Sequence, residues 1–189
     1  ETKISERSQE VDQRSEYLQA AAEVAAAAGS ILDVNRLISQ AVDLIRERFD
    51  LYYVGLFLVD EAGEWAVLRA GTGEAGQRML ARGHRMRVGE GMIGWAIESS
   101  QARIAIEADQ DAVRMAASEL PLTHSELALP LRSREHVLGA LSVQSVTPNA
   151  FDKSPIVTLQ AMADQIAVAL DNARLFKEVR EKKEEIEAV

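Results

Sequence analysis

Glycine and proline are distributed very unevenly along this chain of 189 residues. Nine of the eleven glycines lie between Gly55 and Gly94, whereas residues 1–28 and 156–189 contain neither glycine nor proline. Because both residue types interrupt helices, this distribution predicts a long helix at each end and a turn-rich centre. The last 34 residues would form a helix about 50 Å long. A single domain cannot cover such a helix, so we expect part of it to project into solvent.

The two terminal segments carry apolar residues at heptad spacing. The N-terminal segment is predicted to be one helix over residues 1–29, and its heptad positions are Ile4, Val11 and Leu18. The second half of the last helix carries a narrow seam at Leu175, Val179, Ile186 and Val189. A narrow apolar seam between charged residues is typical of a two-stranded coiled coil. We therefore expect a parallel homodimer through both terminal helices; the alternative is a solvated helix ordered only by its apolar first half.

The centre of the chain alternates between short β-type segments and turns. After an amphipathic helix over residues 34–49, strands are predicted at 53–59, 65–70, 84–88, 103–106, 125–131 and 137–145. A helical turn is predicted around 77–81, a short helix over 91–99, and further helical turns around 113–118. Most of the strands are joined by hairpins and lie between helical ends, which predicts an α+β fold.

The composition excludes several classes of function. A net charge of −9 argues against nucleic acid as a main partner. The chain contains no cysteine, so it has no disulfides, thiolate metal sites or cysteine nucleophiles. It shows no apolar run of membrane-spanning length and no signal peptide, which predicts a cytoplasmic location without membrane contact in this part. Because residue 1 is Glu1 rather than Met, we expect a fragment of a longer protein, such as a larger membrane-anchored sensor.

Five segments follow one another in an order that resembles a GAF domain, the small-ligand sensor fold of signalling proteins. They are residues 30–33, residues 53–60, the glycine-rich stretch 89–96, the paired stretches 125–131 and 137–143, and residues 151–176. The resemblance covers residues 31–176. It leaves residues 1–29 as a linker helix and residues 177–189 as a C-terminal extension. These two flanking parts are similar to the signalling helices that follow HAMP modules in bacterial sensors.

The resemblance implies a central antiparallel sheet of about six strands. The first and last helices would cover one face, and loops and short helices would cover a ligand pocket on the other. It also implies a regulatory module that couples a small ligand, or an upstream signal, to an output domain beyond Val189. The alternative is a ligand-free spacer that only dimerises and relays a signal.

The resemblance also bears on the ligand. Without cysteine, neither a covalently attached bilin nor the sulfoxide reductase activity of one branch of the family is expected. The signature of the cyclic-nucleotide-binding members is not recognisable in this sequence, so the ligand stays unidentified. Either His84 or His124 could provide an axial haem ligand, but none of the three histidines has metal-ligand spacing to another, which makes haem an unfavoured interpretation.

The candidate pocket residues are mostly apolar. They are Phe57, Met92, Trp95, Met115, Leu127 and Leu129, which could equally be core residues. Arg85 is the candidate partner of an anionic ligand. It belongs to a basic cluster with Arg78, Arg82, His84 and Arg87, which a solvated edge strand would also explain.

A glycine motif and the absence of catalytic motifs complete the sequence evidence. Residues Gly89–Gly94 match the G-x-G-x-x-G pattern of dinucleotide sites. No apolar parallel strand precedes the motif and no βαβ unit surrounds it, which favours a tight turn over a nucleotide-dependent enzyme. The chain lacks a G-x-S-x-G motif, a Walker sequence and a framed pair of carboxylates. We therefore predict no catalytic residues, no metal site and no enzymatic activity.

Overall fold

A computed structural model describes residues 34–134 and 136–189 of the chain. Its helices are α1 (Val34–Phe49), α2 (Gly73–Ala81), α3 (Gly91–Ser99) and α4 (Lys153–Glu187). Its strands are β1 (Tyr53–Val59), β2 (Trp65–Gly71), β3 (Arg85–Arg87), β4 (Arg103–Ala105), β5 (Ser125–Ser133) and β6 (His136–Ser145). The heptad of Ile4, Val11 and Leu18 lies outside the described residues, so the N-terminal helix stays a prediction.

The six strands form one antiparallel sheet in the order β3-β2-β1-β6-β5-β4. β1 and β6 are the central pair, and β5 pairs with β6 along almost its whole length, from Ser125 opposite Ser145 to Ser133 opposite His136. The short strands β3 and β4 form the two edges. The α+β class and the six-stranded antiparallel sheet predicted from the sequence are therefore confirmed.

Each face of the sheet has its own apolar cluster. On the first face, α1 and α4 pack against alternate residues of the strands, including Leu56, Leu129 and Leu141. On the second face, α2 and α3 pack against the intervening residues, including Phe57 and Ala128. Successive side chains of a strand point to opposite faces, so one strand contributes to both clusters.

α4 is 35 residues long and extends beyond the domain. Asp152 is its N-cap, and the Asp152 side chain accepts a hydrogen bond from the backbone N–H of Ser154 at 3.3 Å. Its buried residues run from Leu159 to Ala173, and every residue from Phe176 onward is exposed. The pairing of this half in a coiled coil stays a prediction.

Two local predictions differ from the structure. Residues 73–81 form a complete helix rather than a single turn around 77–81. The helical turns predicted around 113–118 are wrong, and a 3-10 turn occurs at Ala108–Gln110 instead. The side chain of Asp111 accepts hydrogen bonds from the backbone N–H groups of Val113 and Arg114, which holds a local turn in place of a helix. None of the helices in the described residues combines the length and apolar character that crossing a bilayer requires.

Candidate ligand-binding cavity

A small cavity lies between the second face of the sheet and the segments that cover it. β1, β5 and β6 form its floor, and α2, α3 and the connection between β4 and β5 form its roof. The lining residues are Tyr53, Phe57, Met79, His84, Met86, Ile93, Met115, Ala117, Leu120, Glu126, Ser142 and Gln144. The free space holds about one or two water molecules. Apolar walls with a few polar groups are typical of small-molecule sites.

The floor carries a connected network of buried polar side chains. The hydroxyl of Ser142 donates to Oε1 of Glu126 at 3.0 Å, and Nε2 of Gln144 donates to the Ser142 hydroxyl at 2.9 Å. The hydroxyl of Thr123 donates to Oε1 of Gln144 at 2.6 Å. The four side chains belong to β5, β6 and the residues just before β5. Their partners fix the orientation of the Glu126 carboxylate at the floor of the cavity.

Glu126 also forms a buried ion pair with Arg114 of the roof. Nε of Arg114 lies 2.7 Å from Oε2 of Glu126, and the two side chains are only 6% and 7% exposed. Burial raises the pKa of Glu126, and Arg114 and the hydrogen bond from Ser142 oppose that increase. Burial therefore favours the neutral form of this carboxyl group, and the roof arginine favours its charged form.

Tyr53 contributes a hydroxyl group that has no hydrogen-bond partner within the described part of the chain. The side chain is 2% exposed, and its ring lies over Gly55 of the same strand and Gly71 of the neighbouring strand β2. A Cβ at Gly55 would be 2.5 Å from the hydroxyl, and a Cβ at Gly71 would be 2.9 Å from it. Burial is the main reason that the pKa of this phenol is raised. A buried donor without a partner costs free energy, because it has lost its hydrogen bonds to water. A molecule that enters the cavity could recover that free energy by accepting a hydrogen bond from this hydroxyl.

The roof segment, residues 111–122, is held in place by ion pairs at its ends as well as by Arg114. At its beginning, Nη2 of Arg103 lies 3.2 Å from Oδ1 of Asp111. Near its end, Nη2 of Arg82 donates to Oε2 of Glu119 at 3.1 Å. The segment contains neither an α-helix nor a strand. Ion pairs therefore connect this roof segment to the rest of the domain, together with the apolar packing of Ala117 and Leu120.

His84 lies at the side of the cavity beside the Arg82–Glu119 pair. Its ring contacts the ring of Phe57 edge-on, with centroids 5.7 Å apart. Burial, followed by the nearby Arg82 cation, lowers the pKa of His84. By contrast, the hydrogen bond from Arg82 lowers the pKa of Glu119 to about 2. A neutral imidazole therefore faces the cavity at neutral pH, while Glu119 is ionised.

The structure places two of the seven candidate pocket residues, Phe57 and Met115, in the cavity lining. Leu127 and Leu129 belong to the cluster against α1 and α4, because strand alternation directs them to the other face of β5. Met92 is buried in the packing of α3.

The two remaining candidates lie away from the cavity lining. Trp95 is half-buried, with the guanidinium of Arg103 5.4 Å from the ring centroid. Arg85 is exposed on the edge strand β3, and its guanidinium lies 3.9 Å from the centroid of the Trp65 ring. Of the histidines considered as haem ligands, His84 lines the cavity, whereas His124 is exposed and its Nδ1 lies 3.1 Å from the carbonyl oxygen of Leu122.

The sequence reasoning missed the polar floor. Glu126, Ser142 and Gln144 alternate with apolar residues of their strands, and this alternation was a usable signal for residues that share one face. Tyr53 was included in a strand but not recognised as a functional candidate. Its exceptional property, a buried hydroxyl without a partner, depends on packing and leaves no trace in the sequence pattern.

The glycine motif forms the turn between β3 and α3. Gly89 and Gly91 have φ values of +93° and +67°, a conformation that favours glycine. A Cβ at Gly94 would lie 2.3 Å from the carbonyl oxygen of Arg87. The backbone N–H of Gly89 also donates to the carbonyl oxygen of Gly94 at 2.9 Å. Backbone conformation therefore accounts for Gly89 and Gly91, and close backbone packing accounts for Gly94.

The fold agrees with the similarity of this chain to known proteins. Residues 31–171, more than half of the chain, match the family model of the GAF domain. The chain belongs to the GAF domain family. This GAF domain is 30% identical over 128 residues to GAF domain-containing protein A of Dictyostelium discoideum. That match covers 68% of this chain and 73% of the relative.

Two solved structures illustrate the range of proteins that share this fold. One is the GAF domain of a phosphoenolpyruvate-protein phosphotransferase from Coxiella burnetii, with a TM-score of 0.77 and 19% identity; 87% of this chain and 98% of that chain are covered. The other is the free methionine-R-sulfoxide reductase of Neisseria meningitidis in complex with its substrate. Its TM-score is 0.77 and its identity 21%, over 86% of this chain and 93% of that chain. The GAF domain is a regulatory sensor fold.

The expectation that this GAF domain is not an enzyme is wrong. That expectation depended on the absence of recognisable catalytic motifs, but several free methionine-R-sulfoxide reductases share its fold. The fold therefore supports catalysis as well as sensing, and an enzyme role is positively suggested. At 21% identity the likeness to the Neisseria reductase shows the fold alone and carries over neither a reaction nor its residues.

Proposed function

We propose that this GAF domain binds a small molecule in the cavity, with a polar group of the molecule against the floor. The observation that carries the proposal is the Tyr53 hydroxyl, which is buried beside the Glu126 network without a hydrogen-bond partner in the described residues. A ligand donor or acceptor would satisfy it. The side chains of Met79, Met86 and Met115 would contact the apolar part of the ligand, since methionine adapts to irregular shapes.

Binding would require the roof segment to move. A space for about one or two waters is too small for an amino acid or a 2-oxo acid. Met115 is 55% exposed although it lines the cavity, so it stands at the entrance. Opening the roof segment would break the Arg114–Glu126 pair, and the ligand would have to replace those interactions. A ligand with polar or charged groups is favoured for this reason.

β5 would connect the cavity to α4. Glu126 of β5 faces the cavity, whereas Leu127 and Leu129 belong to the apolar cluster that includes α4. A ligand that binds better to one arrangement of this strand would shift the position of α4. The regulatory part of the proposal is that α4 transmits this change to an output segment beyond Val189.

The reductase similarity supplies a defined first probe, because those proteins act on free methionine-R-sulfoxide. The probe panel is free methionine sulfoxide, methionine, other amino acids and 2-oxo acids, with thermal unfolding and calorimetry as readouts. Loss of methionine sulfoxide in the presence of a reductant is measured in parallel. This chain has no cysteine, so its own side chains cannot supply a thiol for that reaction.

Variants of the floor make the test specific. We expect the unmodified chain to bind at least one probe, or a copurified molecule seen by native mass spectrometry. The variants Tyr53→Phe and Glu126→Gln should bind the same molecule more weakly. Arg85→Ala is the control, since Arg85 lies on the edge strand over Trp65 and outside the cavity lining. Equal binding to all four chains would contradict the cavity as the site.

The small free volume favours one second candidate, a GAF domain that binds nothing in the cavity and relays a signal through α4. In this case the polar floor would have only a structural role. No copurified molecule and no probe binding, with unchanged thermal unfolding across the panel, would favour the relay over the ligand sensor.

A further inference from the structure

Arg114 of the roof segment provides the cation that pairs with the floor of the cavity. Its Nε donates to Oε2 of Glu126 at 2.7 Å, and both side chains are more than nine-tenths buried. The other carboxylate oxygen, Oε1, accepts hydrogen bonds from the hydroxyl of Ser142 at 3.0 Å and from Nε2 of Gln144 at 3.4 Å. The floor therefore holds one oxygen of Glu126, and the other oxygen binds a guanidinium that comes from the roof.

The segment that carries Arg114 lies outside the sheet. Residues 111–122 contain neither an α-helix nor a strand, and a side-chain turn at Asp111 accepts a hydrogen bond from the backbone N–H of Arg114 at 3.0 Å. The next residue, Met115, lines the cavity and is 55% exposed, so it stands at the entrance. Arg114 can therefore leave Glu126 without breaking the backbone hydrogen bonds between β5 and β6.

The rest of the cavity lining suits an organic cation. Within the part of the chain that the structure describes, Glu126 is the one lining residue that is charged at neutral pH, because burial lowers the pKa of His84. The lining also includes the aromatic rings of Tyr53 and Phe57 and three methionine sulfurs, and aromatic rings attract cations. A bound anion would instead lie close to the buried carboxylate and be repelled by it. The lining therefore favours a positively charged ligand group.

We propose that the ligand is a small organic cation, a guanidinium or an ammonium group on an apolar body, and that Arg114 takes the place of its charged group in the ligand-free chain. This inference rests on the proposed function and names the ligand class for the same cavity. The ligand cation binds Oε2 of Glu126, and its apolar body contacts the methionines. The Tyr53 hydroxyl accepts a hydrogen bond from an N–H group of the ligand. The roof segment therefore opens to a molecule that replaces the charge of Arg114.

Competition with Arg114 determines the affinity for a free cation. A tethered group competes with a free one at an effective concentration that is roughly millimolar or higher. The apparent affinity of the unmodified chain is therefore reduced by the fraction of molecules in which Arg114 occupies Glu126. Arg114→Ala removes this competition and leaves Glu126 in need of a cation, so it should bind a free cation at least about tenfold more tightly. A role of Arg114 in stability alone predicts no such gain.

Three small probes of similar size test the charge. n-Propylguanidinium reproduces the arginine side chain from Cβ outward, n-propylurea is its neutral counterpart, and butyrate is an anion. By calorimetry, propylguanidinium should bind Arg114→Ala at least about tenfold more tightly than it binds the unmodified chain, and more tightly than propylurea binds Arg114→Ala. Adding Glu126→Gln to Arg114→Ala should abolish the preference for the cation. Equal binding of propylguanidinium and propylurea to Arg114→Ala, or tighter binding of butyrate, would overturn the proposal.

Arg82→Ala is the control for a loosened roof. It removes the Arg82–Glu119 pair of the same roof segment but leaves Arg114 on Glu126, so it should not raise the affinity for propylguanidinium. A gain as large as that of Arg114→Ala would contradict displacement of Arg114. If Arg114→Ala does not fold by itself, millimolar propylguanidinium should restore its cooperative thermal transition and propylurea should not. Absence of this rescue would also overturn the proposal.

The failure of this inference is distinguishable from the failure of the proposed function. A chain that binds a neutral or anionic probe in a Tyr53-dependent way, with no gain for the cation in Arg114→Ala, retains the cavity function and loses the cationic ligand class. If neither the unmodified chain nor Arg114→Ala binds any probe, the proposed function fails and this inference fails with it.

Discussion

Arg114 of the roof segment donates a 2.7 Å hydrogen bond from Nε to Oε2 of Glu126 on β5, and both side chains are more than nine-tenths buried. This pair joins the roof to the floor of the cavity. The roof segment has no backbone ladder with the sheet, so the charged pair at its centre is a specific connection between the two layers. Opening the cavity means exposing or re-pairing both charges.

We expect Arg114→Met to lower the free energy of unfolding by about 3 kcal/mol, because it leaves the Glu126 carboxyl buried without its cation. Arg114→Met with Glu126→Leu should recover a large part of that loss, since an apolar pair carries no desolvation penalty. Urea denaturation of the unmodified chain and the variants measures both effects. A double variant less stable than Arg114→Met would show that the other contacts of Glu126 contribute more than the ion pair.

Glu119 should give an acid-dependent contribution to stability. Its pKa is lowered to about 2 by the hydrogen bond from Arg82, against an ordinary value of 4.5 in the unfolded chain. The stabilisation is therefore fully present above pH 4.5 and is lost as the pH falls towards 2.

The test compares Glu119→Gln with the unmodified chain. The substitution should cost up to about 1 kcal/mol at pH 7, because Arg82 is half exposed, and progressively less at acid pH. Denaturation at pH 7 and pH 3 measures the difference. Glu61→Gln, in the exposed loop after β1, is the control. A difference that is constant with pH would contradict the pairing.

Tyr53→Phe should separate stability from binding. The Tyr53 hydroxyl has no partner in the described residues, so its removal should leave the free energy of unfolding unchanged or raise it by up to about 1 kcal/mol. Binding of the molecule identified by the probe panel should weaken at least severalfold. Thermal unfolding and calorimetry on the same preparation give both values. A large loss of stability would mean that the hydroxyl is satisfied inside the folded chain.

Gly94→Ala should destabilise the turn between β3 and α3. Its Cβ would lie 2.3 Å from the carbonyl oxygen of Arg87, a backbone atom that cannot move without disturbing the strand. We expect a loss of about 1–3 kcal/mol. Gly83→Asn is the control, since Gly83 has a positive φ, no atom lies within 4 Å of where its Cβ would be, and asparagine tolerates that conformation. Equal effects of the two substitutions would contradict the close approach at Gly94.

Lys182→Leu should strengthen self-association through α4. Lys182 lies seven residues after Leu175 and seven before Val189 in the heptad seam expected from the sequence, so two ammonium groups would come close together in a pair of these helices. Leucine removes this repulsion and adds apolar contact, so the dimer dissociation constant should fall at least tenfold. Sedimentation equilibrium measures it. Arg180→Leu, at an exposed position outside the seam, is the matched control and should have a much smaller effect.

Most of the fold could be predicted because local signals agree with the final structure. The helix predicted over residues 91–99 is the observed α3, and it ends where Ser100 adopts a left-handed conformation. The strand predicted over 53–59 is the observed β1. The prediction of helical turns around 113–118 was wrong because the side chain of Asp111 accepts hydrogen bonds from the backbone N–H groups of Val113 and Arg114, which compete with helical hydrogen bonding.

The cavity was harder to predict than the fold. Strand alternation places Leu127 and Leu129 on one face of β5, and Glu126 and Ala128 on the other. Alternation cannot show which of the two faces α4 will cover, and α4 lies on the leucine face. Because α4 covers the leucine face, Glu126 lies on the opposite face and lines the cavity together with Phe57 and Met115.

The sequence by itself determined the α+β class, the positions of the strands, the long uninterrupted last helix and the absence of cysteine chemistry. These properties depend on periodicity, turn residues and composition, which act over a few neighbouring positions. Only the tertiary structure decided that Arg114 meets Glu126, that the Tyr53 hydroxyl is buried without a partner in the described residues, and that α4 covers the face of β5 that carries Leu127 and Leu129. These relationships join residues that are distant in sequence, and burial in a packed interior decides their energies.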